Sequence, residues 1–187
     1  MLRTELQPYL VFHDLEHNES DSKLKDWPLH LTLTPPFTLS GVKEYRAADL
    51  IASVVEDIEP FKIEIGDEDA YGPNNERVVT KLNDNEGILK KLHTSLIERL
   101  GAIGCKFSDL TYALENYSAH ISHQAKKELP EHLLTIESVS FAKKRPKFIL
   151  PNSIRRHKLI VERMQLRENL PTRRASQKDP INALRYE

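Results

Sequence analysis

Two short segments, well separated along the chain, share one residue pattern. They read Trp-Pro-Leu-His-Leu-Thr-Leu at positions 27–33 and Tyr-Ser-Ala-His-Ile-Ser-His at positions 117–123. Alternate side chains of a β-strand share one face, so the histidine and the hydroxyl residue of each segment point the same way. The pattern therefore predicts that His30 and Thr32 meet His120 and Ser122 in one cleft.

Two histidines in one cleft suit acid–base chemistry on a phosphate ester. Cleavage of a phosphodiester requires a base that activates the nucleophile and an acid that protonates the leaving oxygen. Histidine, with an ordinary pKa of about 6.5, serves in either role. A hydroxyl on the same face donates to phosphate oxygens and stabilises the charge that develops there. One His-x-Thr segment alone is more typical of a structural histidine, and it is the second copy that favours catalysis.

The apolar pattern along the chain predicts seven strands and two helices. Strands are predicted at 7–12, 29–34, 61–65, 77–82, 116–122, 133–141 and 157–166, and helices at 43–58 and 88–100. One motif strand falls in each half of this order. We therefore predict an α+β fold of two similar lobes related by a pseudo-twofold axis, in which two mostly antiparallel sheets flank a central cleft and the helices lie outside.

Local signals add detail to the two helices. Ser40 is the predicted cap of the first helix, and either Asp84 or Asn85 caps the second. Gly101 is the predicted end of the second helix. His93 lies off the apolar stripe of that helix, so it is predicted to be solvated.

The composition is that of one soluble domain. The chain has 187 residues, of which 39% are hydrophobic and 29% charged. No apolar run approaches the roughly 18–20 residues of a membrane span, and the N-terminus lacks the apolar core of a secretory signal. Cys105 is the single cysteine, so no disulfide within the chain is possible, which fits a reducing compartment. We expect a cytoplasmic, monomeric protein with no metal, no cofactor and no membrane contact.

Charge is distributed unevenly along the chain. Residues 143–187 contain 13 Lys and Arg against 4 Asp and Glu, whereas residues 1–142 contain 14 against 24. The basic C-terminal segment is either a solvated tail or a segment that binds a polyanion. The apolar pattern ends near position 166, so we predict one domain at 1–166 and a disordered basic tail at 167–187.

The two motifs resemble the paired HxTx and HxSx motifs of the two-histidine (2H) phosphoesterases. This superfamily includes RNA 2′,3′-cyclic phosphodiesterases, historically called 2′-5′ RNA ligases, and the resemblance covers residues 5–166. It implies a bilobal fold around a basic, water-filled cleft. It also implies that His30 is the proton donor and His120 the proton acceptor in hydrolysis of a 2′,3′-cyclic phosphate to a 2′-phosphate. Thr32 and Ser122 would hold the phosphate oxygens.

The second motif departs from the family pattern at its end. It continues with His-Gln-Ala at 123–125, where the family commonly has an apolar residue and then a basic one. The cation that meets the phosphate must then come from elsewhere, and the candidates are Lys126, Lys127, Arg155 and Arg156. Lys126 and Arg155 are our predicted substrate-binding residues, together with Tyr117, whose ring can stack on a base.

Two neighbours of the motifs receive structural interpretations. Trp27 can also stack on a base, but packing within its lobe is favoured. His123 would lie on the strand face opposite His120. It is therefore interpreted as structural or peripheral.

Two functions of different classes fit this cleft. The first is a metal-independent phosphodiesterase for RNA ends or nucleotides that carry a 2′,3′-cyclic phosphate, with 2′-5′ RNA ligase activity as a possible second activity. The second is a nucleotide- or RNA-binding module that uses the cleft without turnover. The atypical end of the second motif and the basic C-terminal segment support the second function. Turnover of a 2′,3′-cyclic nucleotide separates them.

Overall fold

The computed structural model describes residues 8–18, 23–24, 27–72, 74–124, 127–144 and 158–166. Within these ranges the strands are β1 (Tyr9–Asp14), β2 (Lys23–Leu24), β3 (His30–Thr32), β4 (Phe37–Thr38), β5 (Phe61–Tyr71), β6 (Arg77–Asn83), β7 (Lys106–Phe107), β8 (His120–Ser122), β9 (Leu133–Ile136), β10 (Ser138–Lys144) and β11 (Lys158–Gln165). The helices are α1 (Glu44–Val55) and α2 (Ile88–Ala102), and a 3₁₀ turn covers Leu114–Asn116.

The strands pair antiparallel in two halves that meet at the motif strands. The first half has the order β2-β11-β10-β1-β3, and the second has the order β8-β6-β5-β9. β3 and β8 are neighbours at the centre, with Leu31 opposite Ile121. The predicted α+β fold with mostly antiparallel strands is confirmed, and hydrogen bonds across the β3–β8 seam join the two sheets edge to edge.

A single large hydrophobic core lies between the sheet and the two helices. From α2 it receives Leu89, Leu92, Leu96 and Leu100, and from α1 it receives Ala47, Ile51, Val54 and Val55. Leu31 and Ile121 at the seam belong to the same core and are fully buried. Burial of each such aliphatic side chain stabilises the fold by about 2 kcal/mol. Because the helices cover this face, the motif histidines and hydroxyls lie on the other one.

The helix ends match the sequence prediction in part. Lys43 precedes the first turn of α1 and no side chain caps that turn, so the Ser40 prediction is wrong, since Ser40 lies too far upstream. For α2, the carboxylate of Asp84 accepts hydrogen bonds from two first-turn backbone N–H groups, which is the role predicted for Asp84 or Asn85. α2 ends at Ala102, one residue after the predicted end at Gly101.

The segment predicted as one strand at 133–141 is two strands in opposite halves. β9 pairs with β5, and β10 pairs with β1. The core positions change phase at the break, from Leu134 and Ile136 to Val139 and Phe141. One continuous strand keeps its core residues in a single phase. The chain therefore crosses from the edge of the second half into the first.

Other differences concern short elements. The motif strands β3 and β8 are each three residues long, shorter than the predicted 29–34 and 116–122. β2, β4 and β7 lie in stretches without a strand prediction, and the tail at 167–187 lies outside the described residues. None of the described helices is long and apolar enough to cross a membrane. Within the described ranges no group of three or more His, Cys, Asp and Glu side chains is arranged to hold a metal ion.

Candidate active site

The pairing of β3 with β8 brings the two motifs together. The central residues of the two strands are opposite each other. One step along this register in either direction places His30 opposite Ser122 and Thr32 opposite His120. Directly opposed residues share a face, with Cβ atoms about 5 Å apart. Two histidines and two hydroxyls therefore alternate around one small area of the sheet.

Both motif histidines are oriented by the same backbone contact. Nδ1 of His30 donates to the carbonyl oxygen of Pro28, and Nδ1 of His120 donates to that of Ser118, each at 2.8 Å. A carbonyl oxygen only accepts, so each neutral ring carries its proton on Nδ1 and its lone pair on Nε2. Nε2 is therefore the basic nitrogen of both rings.

A cavity of about 430 Å³ opens on this face. Three of the four motif side chains line it, and the fourth, His30, packs against the rings of Trp27 and Phe12 at centroid distances of 5.4 and 5.3 Å. A volume in this range is typical of small-molecule sites. The cavity therefore lies mainly on the side of the second half.

His93 and Tyr117 link the two motif segments at one end of this cavity. Nδ1 of His93 donates to the carbonyl oxygen of Leu33, and Nε2 accepts the N–H of Leu114, both at 2.8 Å. Tyr117 stacks on His93 with ring centroids 3.9 Å apart, and its hydroxyl donates to the carbonyl oxygen of Thr32 at 3.0 Å. We call this pair the His93–Tyr117 clamp, because it joins the end of β3 to the segment that leads into β8.

The prediction that His93 is solvated is wrong, since its side chain is 1% exposed. Burial lowers the pKa of His93, although the bond to Leu33 opposes that shift. The neutral ring, with one donor and one acceptor nitrogen, matches its two backbone partners. The apolar stripe of α2 predicts which face of the helix packs in the core. It does not predict that a polar side chain outside the stripe, such as His93, is buried with hydrogen-bond partners.

Tyr117 lines the cavity, but its ring and its hydroxyl already contact other residues of the protein. Burial, with a smaller contribution from Asp84, raises the pKa of its phenol, so the hydroxyl stays a donor. One face of the ring lies against His93. A role for Tyr117 in stacking on a base stays a prediction.

Among the described residues, the cavity lining is not basic. Arg77 is its only described cation, alongside the acids Glu76 and Asp109. The carboxylate of Asp109 accepts the backbone N–H of Thr111 at 2.8 Å, which lowers its pKa and keeps it ionised. The basic cleft implied by the family resemblance is therefore not found in the described part of the lining.

The predicted phosphate-binding cations are distributed differently. Three of them lie outside the described residues: Lys126, Arg155 and Arg156. Lys127 is described, but its Nζ donates to the carbonyl oxygen of Trp27 at 3.0 Å and pairs with the carboxylate of Glu16. Partial burial opposes ionisation of Glu16, but this pairing lowers its pKa overall. Lys127 thus fastens two loops outside the cavity.

The lining residues that were not identified from the sequence include Tyr71, Arg77 and Tyr112. Tyr71 ends β5 and Arg77 begins β6, and the two are directly opposed in the register of this hairpin. The hairpin reaches the site because β6 pairs with β8. The sequence does show an aromatic and a basic residue flanking a glycine turn, but that signal does not say which strand β6 pairs with.

His123 and Trp27 have the structural surroundings expected of them. Nε2 of His123 lies 2.7 Å from the hydroxyl of Thr80, which is opposite Ile121 in the sheet and thus on the core side. Trp27 meets Phe12 edge to face at a centroid distance of 5.5 Å. Neither arrangement gives a reason to place these side chains in the chemistry.

Fold and site together define a class of protein. Two antiparallel halves that each bring a His-x-hydroxyl strand to a common seam have the arrangement of a two-histidine phosphoesterase. The profile of the 2′-5′ RNA ligase superfamily matches residues 4–149. The chain belongs to this superfamily.

Solved structures share the fold at low sequence identity. E. coli LigT complexed with 3′-AMP has a TM-score of 0.55 and 14% identity, and the match covers 88% of this chain and 100% of LigT. E. coli LigT complexed with NADP⁺ has a TM-score of 0.53 at 13% identity, and a crystal structure of a phosphoesterase has 0.51 at 14%, both with the same coverage. No curated protein matches the chain. At these identities the likeness shows the fold alone.

Proposed function

We propose that the protein is a phosphodiesterase that hydrolyses a 2′,3′-cyclic phosphate, on an RNA end or a nucleotide, to a 2′-phosphate without a metal ion. The observation that carries this proposal is the seam itself, where two histidines with the same backbone contact share one face with two hydroxyls. A neutral Nε2 accepts a proton and a protonated Nε2 donates one, so the pair supplies a base and an acid.

In the proposed reaction His120 is the base and His30 is the acid. Nε2 of His120 takes a proton from water as the water oxygen attacks phosphorus. The bond from phosphorus to O3′ breaks, and Nε2 of protonated His30 donates its proton to O3′. Thr32 and Ser122 donate hydrogen bonds to the non-bridging oxygens, where negative charge develops. The products are a 2′-phosphate and a 3′-hydroxyl. In ligation the 5′-hydroxyl of a second RNA replaces water as the nucleophile, the same P–O3′ bond breaks, and the two histidines keep their roles.

The proposed partner is a nucleotide or an RNA end. E. coli LigT, a structure of similar fold, has been solved with 3′-AMP, with NADP⁺ and with ATP. Both motifs come from a single chain, one from each half. One copy thus holds a whole site, which supports a monomer as the active form.

Hydrolysis of 2′,3′-cyclic AMP in EDTA tests the proposal. His30→Ala and His120→Ala should each lower kcat/KM by about 10²–10⁴-fold. His123→Ala is the matched control, because it removes an imidazole next to the second motif on the opposite face, and it should retain most of the activity. Wild-type turnover that survives loss of both motif histidines would show that the chemistry lies elsewhere.

A binding module without turnover is the second candidate. It is favoured by the second motif, which lacks its usual basic ending, and by a described lining with one cation. The discriminating panel contains cyclic nucleotides, 2′-5′ dinucleotides and RNA with a cyclic phosphate end. Binding of 2′-AMP without cleavage of any panel member would select this candidate over the enzyme.

A further inference from the structure

The carbonyl group of Pro28 accepts two hydrogen bonds, one from each half of the molecule. Nδ1 of His30 donates to its oxygen at 2.8 Å, and the side-chain amide of Gln124 donates to the same oxygen at 2.9 Å. A carbonyl oxygen has two lone pairs, so both bonds can form at once. The carbonyl that orients the histidine of the first motif is therefore itself held from the second half.

The strand register explains why Gln124 reaches this carbonyl. Leu31 is opposite Ile121 at the seam, and three further steps in the same register bring Gln124 opposite Pro28. Gln124 follows the last residue of β8 by two positions, and Pro28 precedes the first residue of β3 by two. The bond thus continues the seam beyond the paired strands.

The direction of the Pro28 carbonyl is not fixed by the proline itself. The ring holds φ at about −65°, but the carbonyl direction depends on ψ, which the ring leaves open. The bond from His30 spans only two residues, so the imidazole and the carbonyl could turn together. Gln124 is distant in sequence, and its bond therefore fixes the carbonyl relative to the second motif.

The same peptide group is also held at its N–H end. The N–H of Leu29 donates to the carboxylate of Glu16 at 2.8 Å, and that carboxylate pairs with Lys127. Lys127, like Gln124, belongs to the segment that follows the second motif. The peptide group between Pro28 and Leu29 is thus tied to this segment twice, directly at the carbonyl and through Glu16 at the N–H.

The corresponding position of the first motif has a different role. The residue four positions after the motif histidine is Thr34 in the first motif and Gln124 in the second. The hydroxyl oxygen of Thr34 accepts the backbone N–H of Val11 at 3.1 Å, a bond within the first half. The side chain of Gln124 connects the halves, so the second motif acts on the histidine of the first.

We infer that Gln124 is a positioning residue for the proposed reaction: through the Pro28 carbonyl it fixes the orientation and the Nδ1–H tautomer of His30, the proposed acid. The effect on rate rests on the proposed phosphodiesterase function, whereas the effect on the imidazole does not. The inference also gives a role to the atypical end of the second motif, where an amide follows in place of the usual basic side chain.

Nitrogen NMR of ¹⁵N-labelled protein reports the tautomer of each histidine. The spectrum is recorded at about pH 8, where an ordinary imidazole is neutral, and the spectrum of His30→Gln assigns the signals of His30. Gln124→Met keeps the length of the side chain without a donor, so the ratio of the Nδ1–H to the Nε2–H tautomer of His30 should fall about threefold. His120 should keep its tautomer in the same spectrum, because its Nδ1 bonds to Ser118.

Asn116→Leu is the matched control. The side-chain amide of Asn116 also donates to a backbone carbonyl, that of Thr111 at 3.0 Å, and it lies shortly before the second motif. No motif histidine bonds to that carbonyl through Nδ1, so both tautomers should stay as in the wild type. An unchanged His30 tautomer in Gln124→Met, or an equal fall in Asn116→Leu, would overturn the inference.

Gln124→Lys distinguishes hydrogen bonding from packing. Lysine restores an N–H donor, so the tautomer ratio of His30 should return toward the wild-type value. A side chain that only fills space predicts the reverse order, in which Met behaves as the wild type and Lys disturbs the imidazole. That reverse order would refute the positioning role.

Kinetics separate this inference from the proposed function. With 2′,3′-cyclic AMP, Gln124→Met should lower kcat about tenfold and leave KM within about twofold, because a misoriented acid slows the chemical step and not binding. Wild-type kcat in this variant would overturn the positioning role even where the tautomer changes. If the wild type cleaves no cyclic nucleotide, the phosphodiesterase proposal fails, and the tautomer comparison still decides whether Gln124 fixes His30.

Discussion

The two halves hold their motif histidines alike and surround them differently. Each Nδ1 donates at 2.8 Å to a carbonyl oxygen two residues upstream. In the first half, the ring of His30 lies among Trp27 and Phe12, which pack with a small buried cluster of that half. In the second half, the ring of His120 contacts Tyr71 at the edge of an open cavity.

This difference separates the orientation of the two histidines from the room around them. A backbone carbonyl orients the Nδ1 side of each ring in either half. Among the described residues, the cavity borders the ring of His120 and not that of His30. The backbone contacts of the two histidines are therefore alike, whereas the side chains around them are not.

The largest expected effect breaks the symmetry between the histidines. The wild-type pH profile of kcat/KM should be bell-shaped, because the base must be neutral and the acid protonated. His120→Gln should lose the acidic limb, His30→Gln should lose the alkaline limb, and each should lose about 10²–10⁴-fold in rate. The measurement is kcat/KM for 2′,3′-cyclic AMP between about pH 5 and pH 9.

Exchanged limbs in the two variants would reverse the acid and base assignments. A flat wild-type profile would remove the two-histidine mechanism altogether.

The second prediction tests whether the hydroxyls of Thr32 and Ser122 are equivalent. Thr32→Val and Ser122→Ala each remove one donor to the phosphate while leaving the strand pairing intact. Each should lower kcat by about 10²-fold, as the loss of one charge-stabilising donor does. Thr38→Val, at a threonine of β4 that does not line the cavity, is the control. A loss confined to one of the two hydroxyls would show that the phosphate is held from one half only.

A smaller effect concerns which half supplies the cation. Arg77 has no ion-pair partner among the described residues, whereas Lys127 is held by Glu16. Arg77→Gln should raise KM about tenfold, since a hydrogen bond to a charged group is lost. It should also flatten the salt dependence of KM. Lys127→Gln should leave both quantities near wild type, and the opposite ranking would place the phosphate nearer the first half.

The last prediction concerns the stability that the clamp between the halves provides. His93→Phe leaves the carbonyl of Leu33 and the N–H of Leu114 without their partner, so the free energy of unfolding should fall by about 2 kcal/mol. Urea unfolding measures this, and His132→Phe, at an exposed site in a loop, serves as the control. Unchanged stability of His93→Phe would show that the halves hold together without the clamp.

The stability of the protein should also depend on pH through His93, and the sign of that dependence follows from the direction in which its pKa is shifted. Burial lowers the pKa of His93 below its value in the unfolded chain, so stability is complete above about pH 6.5 and falls as pH drops. The unfolded chain binds a proton there that the buried ring does not. His13, whose pKa is also lowered by burial, adds to this slope. His93→Phe should therefore reduce the slope of stability with pH without removing it.

The fold was predictable where the sequence repeats or alternates. The period of two within each motif predicts which side chains share a face, and the apolar stripes predict α1 and α2. The break between β9 and β10 was not predicted, although the phase change from Ile136 to Val139 is visible in the sequence. Apolar residues alternate with a period of two in both β9 and β10. The period alone therefore predicts one continuous strand.

The site was predictable only for residues within the motifs. Tyr71 and Arg77 reach the cavity because β6 pairs with β8, and that pairing depends on contacts between segments distant in sequence. The burial of His93 was not predicted because its hydrogen-bond partners are backbone groups of two other segments. The apolar pattern of a helix gives no information about such partners. The positions of these cavity-lining residues and of the clamp thus depend on tertiary structure that a single sequence does not display.

The crossover between β9 and β10 has a consequence for the order in which the site is made. The second half is built from residues 61–136 in one continuous run, whereas the first half needs β10 and β11 beside β1. A chain that emerges from the ribosome N-terminus first can complete the second half earlier. Proteolysis of nascent chains of increasing length should show protection of β5 and β6 before β1. His30, the first of the two histidines to be synthesised, is then the last to be fixed in place.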